Sequence, residues 1–357
     1  MKWLKRLGCA FVLLIALVLA AAGFVYVQGI QYLVAWTLTG YARPLPAADA
    51  YPVEPMGGPN PCASGPMTVV TYNTFNGSAF VEDMVERYAD GNLSGMRPWS
   101  ERVPEIRERI ASYDADLIGF QEMGFDADIR AIVPEEAGYT LVSFRAGSFE
   151  YGDSALLFRK ARFEMLDSGQ LWLTPTPELP LSFGFLRGSM LRYAGWALLR
   201  ERDTGFTFLF VNTHFDNNTG NKVPASALFR ERISALAAGL PMVVTGDFNS
   251  NAETERYGVF TGADAAEPLL KNAFHTAPPG ARRYHHRATM SGEIPADDTH
   301  LHPGSRIDHI FTGGPCPARV LEWTIDLRNL KNGEPMSDHE LIAARLMFGS
   351  APDPDAP

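Results

Sequence analysis

Residues 242–250, with the sequence MVVTGDFNS, join a short apolar run to a polar cluster that begins at Asp247. The apolar run predicts a buried β-strand, and Gly246 allows a tight backbone conformation where that strand ends. Asp247 and Asn249 are two positions apart, so we expect their side chains to point the same way. This stretch therefore predicts a strand that places a carboxylate and an amide at the rim of a sheet.

Five further stretches of the chain also combine an apolar run with a polar cluster at one end. They are VVTYNTFNG (69–77), LIGFQEMG (117–124), FLFVNTHFDN (208–217), RIDHIF (306–311) and SDHELI (337–342). Functional side chains are commonly presented on loops by a rigid scaffold of strands and helices. The polar residues of these stretches are Asn, Glu, His and Asp, which predicts a metal-assisted phosphoesterase site at one rim.

The composition is that of a globular protein with a large core. Of the 357 residues, 46% are hydrophobic and 20% are charged, enough for one large domain. The formal net charge of −10 argues against tight nonspecific binding to nucleic acid, which normally uses Lys and Arg. A bound divalent cation would offset that charge at a phosphate, so a nuclease is not excluded.

The N-terminus predicts a membrane anchor. Lys2, Lys5 and Arg6 precede an apolar run over residues 7–27, which is long enough to span a bilayer, and the positive flank should stay cytoplasmic. A cleaved signal peptide is the alternative, because residues 20–22 are alanines that suit processing. We expect residues 1–41 to form this segment. The rest of a single-pass cell-membrane protein would then be periplasmic or extracellular, and the protein would be secreted if the segment is cleaved.

The remaining boundaries follow from composition. Residues 42–66 are rich in Pro and Gly and predict an extended linker, residues 67–349 predict the catalytic domain, and residues 350–357 predict a disordered tail. Cys62 and Cys316 could form a disulfide in an oxidising compartment, and two free thiols are the alternative.

Strands in hairpins alternate with helices through residues 67–349. The sequence Asp-Thr-Gly at 203–205 predicts a hairpin turn between two strands. Helical spacing of apolar residues predicts helices over 100–113, with Ser100 as the N-cap, and over 226–240. This mixture predicts one domain with two packed mixed sheets and helices outside.

Phosphodiester hydrolysis needs a cation, an activated water and stabilisation of the leaving oxygen. Glu122, after an apolar strand, suits Mg²⁺, which takes only one or two carboxylates from a protein. Asp247 could accept the proton of the attacking water, and Asn249 could orient the phosphate or the water. A surface glutamate and an ordinary Asp/Asn turn are the alternatives.

Two histidines are candidates for stabilising the phosphate. His214 and His339 could each donate a hydrogen bond to a phosphoryl oxygen, and Asp308 could hold the tautomer of His339. Asp338 could complete the metal site. Arg192 could reach a phosphate, or it could be an exposed arginine at the start of a strand.

The ordered set YN, QE, NTH, GDFN, RIDHIF and SDH resembles the endonuclease/exonuclease/phosphatase superfamily, which includes deoxyribonuclease I, exonuclease III, neutral sphingomyelinases and inositol 5-phosphatases. The resemblance covers about residues 67–348. It implies an α/β fold, a four-layered sandwich of two mixed β-sheets flanked by helices. It also implies Mg²⁺-dependent phosphoester hydrolysis, with Mn²⁺ as a possible substitute.

The resemblance also implies a role for each matching residue. The expected metal ligands are Glu122, Asn73 and Asp338, the expected catalytic residues are His214, Asp247, Asn249, Asp308 and His339, and the expected substrate-binding residues are Arg192 and Asn212. Nucleic acid, a phospholipid headgroup and a small phosphoester remain open as substrates of a monomeric catalytic domain. A non-catalytic binding module is the alternative from another class.

Overall fold

A computed structural model of the chain describes residues 14–20, 22, 61–77, 97–146, 149–182, 184–185, 190–263, 265–266, 268–283 and 306–349. Its strands are β1 (Met67–Gly77), β2 (Leu117–Met123), β3 (Tyr139–Ala146), β4 (Phe149–Arg159), β5 (Phe163–Trp172), β6 (Tyr193–Glu201), β7 (Thr207–His214), β8 (Met242–Asp247), β9 (Leu270–Asn272), β10 (Arg282–Arg283), β11 (Asp308–Gly313), β12 (Ala318–Asp326) and β13 (Leu341–Phe348). Its helices are α1 (Trp99–Ser112), α2 (Asp126–Ile132), α3 (Thr219–Ala237), α4 (Glu255–Thr261) and α5 (Ala273–Thr276).

The strands form two mixed sheets. The first has the order β10-β12-β13-β1-β2-β4-β3 and the second has the order β5-β6-β7-β8-β11-β9. The pairs β1/β2 and β7/β8 are parallel, so these four strands end at the same edge of their sheets. The expected turn at 203–205 joins β6 to β7, and Gly205 adopts φ +74 there.

Three hydrophobic clusters establish the layers. Between the sheets, Val69 and Phe158 of the first pack with Phe208 and Val243 of the second. On the outer face of the first sheet, residues such as Tyr72 and Phe120 pack against α1 and α2. On the outer face of the second sheet, Val211 and Val244 pack against α3 and α4. The predicted architecture of two mixed sheets flanked by helices is therefore confirmed.

Two helix boundaries differ from their predictions. The N-cap of α1 is Pro98, so Ser100 lies inside the first turn and the predicted Ser100 cap is wrong. The helix therefore begins at Trp99, one residue before the predicted start at 100. The helix α3 begins at Thr219 rather than at 226, because Asn218 Oδ1 caps it by accepting a hydrogen bond from Gly220 N at 3.0 Å.

The start of the described domain is joined covalently to the turn between β11 and β12. Cys62 and Cys316 form a disulfide with their Cα atoms 5.2 Å apart. Ser64 N also donates a hydrogen bond to Phe348 O, at the end of β13, at 3.0 Å. The chain therefore enters and leaves the sandwich at the same end.

Within the described part of the chain, no helix is long and apolar enough to cross a membrane. Only 14–20 and 22 of the apolar run over 7–27 are described, so the predicted anchor lies mostly outside the described residues. The same holds for the linker before residue 61 and for the tail over 350–357.

Candidate active site

The polar residues converge at the end of the sandwich where β1, β2, β7 and β8 finish. Successive side chains of a strand alternate between its two faces, so Asn73 shares the inter-sheet face with Val69, and Asp247 shares it with Val243. His214 is the register partner of Asp247 on the parallel strand β7, and Asp308 is its partner on the antiparallel strand β11. The pairing of strands thus brings Asp247 between a histidine and a second aspartate.

Asp247 is the centre of this cluster and is 1% exposed. Its Oδ1 accepts a hydrogen bond from Asn249 N at 2.7 Å, and its Oδ2 accepts one from Asn73 Nδ2 at 3.1 Å. The same Oδ2 lies 3.4 Å from His214 Nε2 and 3.8 Å from His339 Nε2. Burial acts to raise the pKa of Asp247, but the two imidazoles and the Asn249 amide outweigh it and hold that pKa well below its usual value. Asp247 is therefore a carboxylate at neutral pH.

His339 and Asp308 form a buried pair beside Asp247. His339 Nδ1 lies 2.8 Å from Asp308 Oδ2, and both side chains are at most 5% exposed. Burial acts to lower the pKa of His339, but Asp308 and Asp247 outweigh it and raise that pKa well above its usual value. The imidazole is thus held protonated, with Nε2 directed towards Asp247.

A second histidine–carboxylate pair lies on the other side of Asp247, and the sequence did not identify its acid. Asp153, in β4, places Oδ1 2.9 Å from His214 Nδ1 and Oδ2 2.7 Å from Arg192 Nη1. Burial opposes ionisation of Asp153, but Arg192 and His214 lower its pKa to about 2. Burial and Arg192 act to lower the pKa of His214, and Asp153 with Asp247 nevertheless raises it to about 9.

Arg192, Asp153, His214, Asp247, His339 and Asp308 therefore form a continuous buried row in which charges alternate in sign. We call this row the charge chain. Opposite charges at these separations attract strongly in a low-dielectric interior. Each inner group has an oppositely charged partner on both sides, and this attraction offsets the free-energy cost of removing the group from water. Arg192, expected to bind substrate, is 6% exposed and is committed to Asp153.

Asn73, Glu122 and Asp338 lie beside the charge chain. Asn73 Nδ2 donates to Glu122 Oε1 at 3.2 Å as well as to Asp247, and its Oδ1 accepts a hydrogen bond from Phe75 N at 3.0 Å. Glu122 and Phe75 have φ of +60 and +50, a conformation that costs side-chain-bearing residues energy and is concentrated at functional sites. Burial, followed by the nearby Glu122 and Asp247 carboxylates, raises the pKa of Asp338, although His339 lowers it.

Two groups of described residues could hold a divalent cation. Glu122 and Asp338 supply carboxylate oxygens of the kind Mg²⁺ prefers, and Asn73 holds Glu122 through its amide nitrogen while its Oδ1 accepts from Phe75 N. Burial and then the charge of Glu122 raise the pKa of Asp338, and a cation would offset both effects. Asp247, Asp308 and His339 also bring ligand atoms within 4.8 Å of one another. In that second group the His339–Asp308 hydrogen bond already engages Nδ1.

Asn212 lies beneath the site and is fully buried. Its Nδ2 donates to Phe120 O and Ala155 O of the opposite sheet, both at 2.8 Å, and its Oδ1 accepts from Gln121 Nε2 at 2.7 Å. These contacts join the two sheets through one amide. The sheets can approach so closely because Gly119 has no Cβ, which would lie 2.3 Å from Asn212 Oδ1. Asn249 is half-buried, with φ +48, and donates from Nδ2 to Phe215 O at 2.9 Å.

Arg102, which sequence reasoning also missed, fixes two loops of the site from α1. Its Nη1 donates to Thr74 O at 2.7 Å and to Met336 O at 2.8 Å, and its Nη2 donates to Phe75 O at 2.8 Å. Thr74 follows Asn73, and Met336 precedes the segment 337–339. One buried guanidinium thus anchors the loop beside Asn73 and the loop that carries His339.

Most of this chain matches the sequence model of one protein family. The model of a family described as "Endonuclease/Exonuclease/phosphatase family" matches residues 70–339, which includes the whole charge chain and both candidate cation groups. No curated protein sequence matches the chain.

Several solved structures share the fold. A protein of that family from Bacteroides thetaiotaomicron is 24% identical, with a TM-score of 0.64 over 80% of this chain and 99% of that one. A mannosyl-6-phosphatase from the same organism is 25% identical, with a TM-score of 0.61 over 78% and 99%. D. rerio TDP2, solved with a single strand DNA product, is 14% identical, with a TM-score of 0.54 over 79% and 99%.

Proposed function

This chain belongs to the Endonuclease/Exonuclease/phosphatase family, and on that premise we propose that it hydrolyses phosphoesters with the help of a divalent cation, Mg²⁺ or Mn²⁺. The observation that carries the proposal is the position of Asp247 between two imidazoles, His214 and His339, each paired with its own carboxylate. A site of this kind supplies positive charge and hydrogen-bond donors around one anionic centre.

The protonation states support this chemistry. The raised pKa values keep His214 and His339 protonated at neutral pH, so both can donate hydrogen bonds to phosphoryl oxygens whose charge grows in the transition state. Asp247 has too low a pKa to be a strong base. We therefore assign it the orientation of the attacking water by accepting a hydrogen bond, and we assign Asn249 a contact with the scissile phosphate.

We place the cation at Glu122, Asn73 and Asp338. Glu122 and Asp338 fit it because their carboxylates repel one another at one edge of the charge chain, and Asn73 fits it as the residue that holds Glu122 through its amide nitrogen. The cation would neutralise charge on the phosphoryl group. Asp308 would remain the partner that holds the tautomer of His339.

We propose a small phosphate ester or a phospholipid headgroup as the substrate class. The net charge of −10 disfavours a long polyanion. The likeness to a mannosyl-6-phosphatase supports a small ester. Nucleic acid is the alternative, and the experiment below includes it.

Turnover tests both the chemistry and the substrate class. Purified protein from residue 47 onward would be assayed on p-nitrophenyl phosphate, on p-nitrophenylphosphorylcholine as a headgroup diester, and on supercoiled plasmid, with Mg²⁺ and with EDTA. We expect His339→Gln and Asp247→Asn to lower kcat by about 100-fold or more, as removal of transition-state hydrogen bonds does. Asp203→Asn, in the exposed hairpin turn, is the control and should match wild type.

The outcomes separate the alternatives. Equal turnover in EDTA, or full activity in both active-site variants, would refute the proposed mechanism. Folded wild type without turnover on any of the three would indicate a non-catalytic binding module. Plasmid nicking that His339→Gln abolishes would make nucleic acid the substrate.

We also propose that the catalytic domain works in an oxidising compartment outside the cytoplasm, because such compartments preserve disulfides like Cys62–Cys316. Maleimide labelling of protein taken directly from cells tests this. Labelling of both cysteines without prior reduction would contradict it.

A further inference from the structure

Lys222 is a buried lysine beside the loop that follows β8. It lies in the first turn of α3, is 6% exposed, and donates a hydrogen bond from Nζ to Asn249 O at 2.9 Å. Burying an ammonium group costs free energy unless an opposite charge compensates it, and here the acceptor is a neutral carbonyl oxygen. Departures of this kind from the usual rules of stability are concentrated at functional sites.

The aspartates near Lys222 do not offset this cost. Asp216 already accepts hydrogen bonds from one side-chain amide and two backbone amides. Burial and then Arg256 lower the pKa of Lys222, and Asp247 and Asp216, which act to raise it, do not outweigh them. Lys222 therefore contributes to this region through its hydrogen bond to Asn249 rather than by neutralising an acid.

Asn249 needs support from its surroundings. Its φ of +48 is unfavourable for a residue with a side chain and persists only where neighbouring groups fix it. Its backbone N donates to Asp247 Oδ1 at 2.7 Å, and its Nδ2 donates to Phe215 O at 2.9 Å. Lys222 holds the third polar atom, the carbonyl oxygen, with a charged donor, and hydrogen bonds from charged donors are stronger than neutral ones.

The direction of the Asn249 amide depends on this support. An amide nitrogen carries two protons, so Nδ2 can donate to a phosphoryl oxygen as well as to Phe215 O. We propose that Lys222 is a positioning residue, which holds the backbone of Asn249 so that this second proton meets the scissile phosphate in the transition state. The inference rests on the proposed function and adds to it a residue that acts through Asn249.

Substitutions at Lys222 test this role. kcat and KM would be measured with Mg²⁺ for wild type, Lys222→Met, Lys222→Gln and Lys222→Arg, on whichever of the three substrates above wild type hydrolyses. Met keeps the apolar stem of the lysine, Gln is a second neutral variant should the first not fold, and Arg keeps a positive charge with donors. Lys160→Met, in the exposed turn between β4 and β5, is the control.

We expect the two neutral variants to lower kcat by about tenfold or more, because a small misplacement of a group at the reacting centre can cost about 100-fold. KM should change little, since the loss falls on an interaction made in the transition state. Lys222→Arg should retain more activity than Lys222→Met, and Lys160→Met should match wild type.

A double-mutant cycle separates positioning of Asn249 from a general effect on the fold. Asn249→Gly removes the side-chain amide, and glycine adopts a positive φ without strain. If Lys222 acts through that amide, Lys222→Met should cause almost no further loss of kcat in the Asn249→Gly background.

Failure of this inference is distinguishable from failure of the proposed function. Wild-type kcat in folded Lys222→Met or Lys222→Gln, or the same fold-loss with and without the Asn249 amide, would overturn the role of Lys222 while turnover itself persisted. No turnover of any of the three substrates by folded wild type would instead overturn the proposed function and this inference with it.

Discussion

Replacing Asp153 with Asn tests whether the charge chain sets the protonation of the active site. The substitution keeps the shape of the side chain and removes the negative charge between Arg192 and His214, which lie 2.7 and 2.9 Å from its oxygens. Because the pKa of Asp153 is about 2, the wild-type group is ionised throughout any practical assay range. The variant therefore lacks the negative charge at position 153 at every pH tested.

The size of the effect follows from His214. Its pKa is about 9 against an ordinary 6.5, a difference worth about 3 kcal/mol. Without Asp153, burial and Arg192 still lower this pKa and only Asp247 opposes them, so we expect it to fall below 6.5. Loss of one partner of a buried ion pair should also destabilise the fold by about 3–5 kcal/mol.

The two parts of this effect differ in their pH dependence. A raised pKa in the folded state stabilises the protein fully below the unfolded value of about 6.5. That contribution is lost as the pH rises through the folded pKa of about 9. The stability gap between wild type and Asp153→Asn should therefore be larger at pH 6 than at pH 9.5, as measured by urea unfolding.

Activity provides the second measurement. The alkaline limb of the kcat/KM profile should lie near pH 9 in wild type, since protonated His214 is required, and below pH 6.5 in Asp153→Asn. Asp167→Asn, which removes an exposed carboxylate from β5, serves as the control. An alkaline limb that stays at its wild-type pH in folded Asp153→Asn would refute the role assigned to Asp153.

Two further perturbations test the supports of the site. Reducing the disulfide opens a loop with a sequence separation of 254 and should lower the free energy of unfolding by up to about 5 kcal/mol. Cys62→Ser should have the same stability as the reduced protein. A Tm that is the same with and without reductant would contradict this prediction. Arg102→Gln should cost about 3 kcal/mol, because backbone carbonyls lose charged hydrogen bonds, and should lower kcat more than it raises KM. Arg107→Gln, on the exposed face of the same helix, is the control, and equal kcat in both variants would show that Arg102 does not position the site.

The sequence predicted the position of residues whose strands finish at the site. Asn73, His214 and Asp247 each follow an apolar run, and the two-residue alternation of a strand put them on the inter-sheet face. Asp153 escaped this pattern because β4 is antiparallel to β2. Its site end is therefore its N-terminal half, where the carboxylate precedes the apolar residues. Asp308 and His339 also precede antiparallel strands, and they were identified because the RIDHIF and SDH motifs mark them. Asp153 has no such motif around it.

The sequence also does not show how deeply each polar residue is buried between the two sheets. Asn212 and His214 share one face of β7, yet His214 reaches Asp247 while Asn212 is enclosed between the sheets. The difference of two residues matters only because the opposite sheet closes over Asn212, and the spacing of two sheets is a tertiary property.

The disulfide lies at one end of the strands whose other end forms the candidate active site. β1 runs from Met67, near Cys62, to Asn73 in the site, and at about 3.3 Å per residue its six steps cover about 20 Å. β11 runs the opposite way, from Asp308 to the turn that holds Cys316. The Cys62–Cys316 disulfide and the candidate active site therefore lie at opposite ends of the domain. A force applied through the chain before Cys62 would therefore act at the disulfide end of the domain. The candidate active site, at the other end, would remain accessible to substrates.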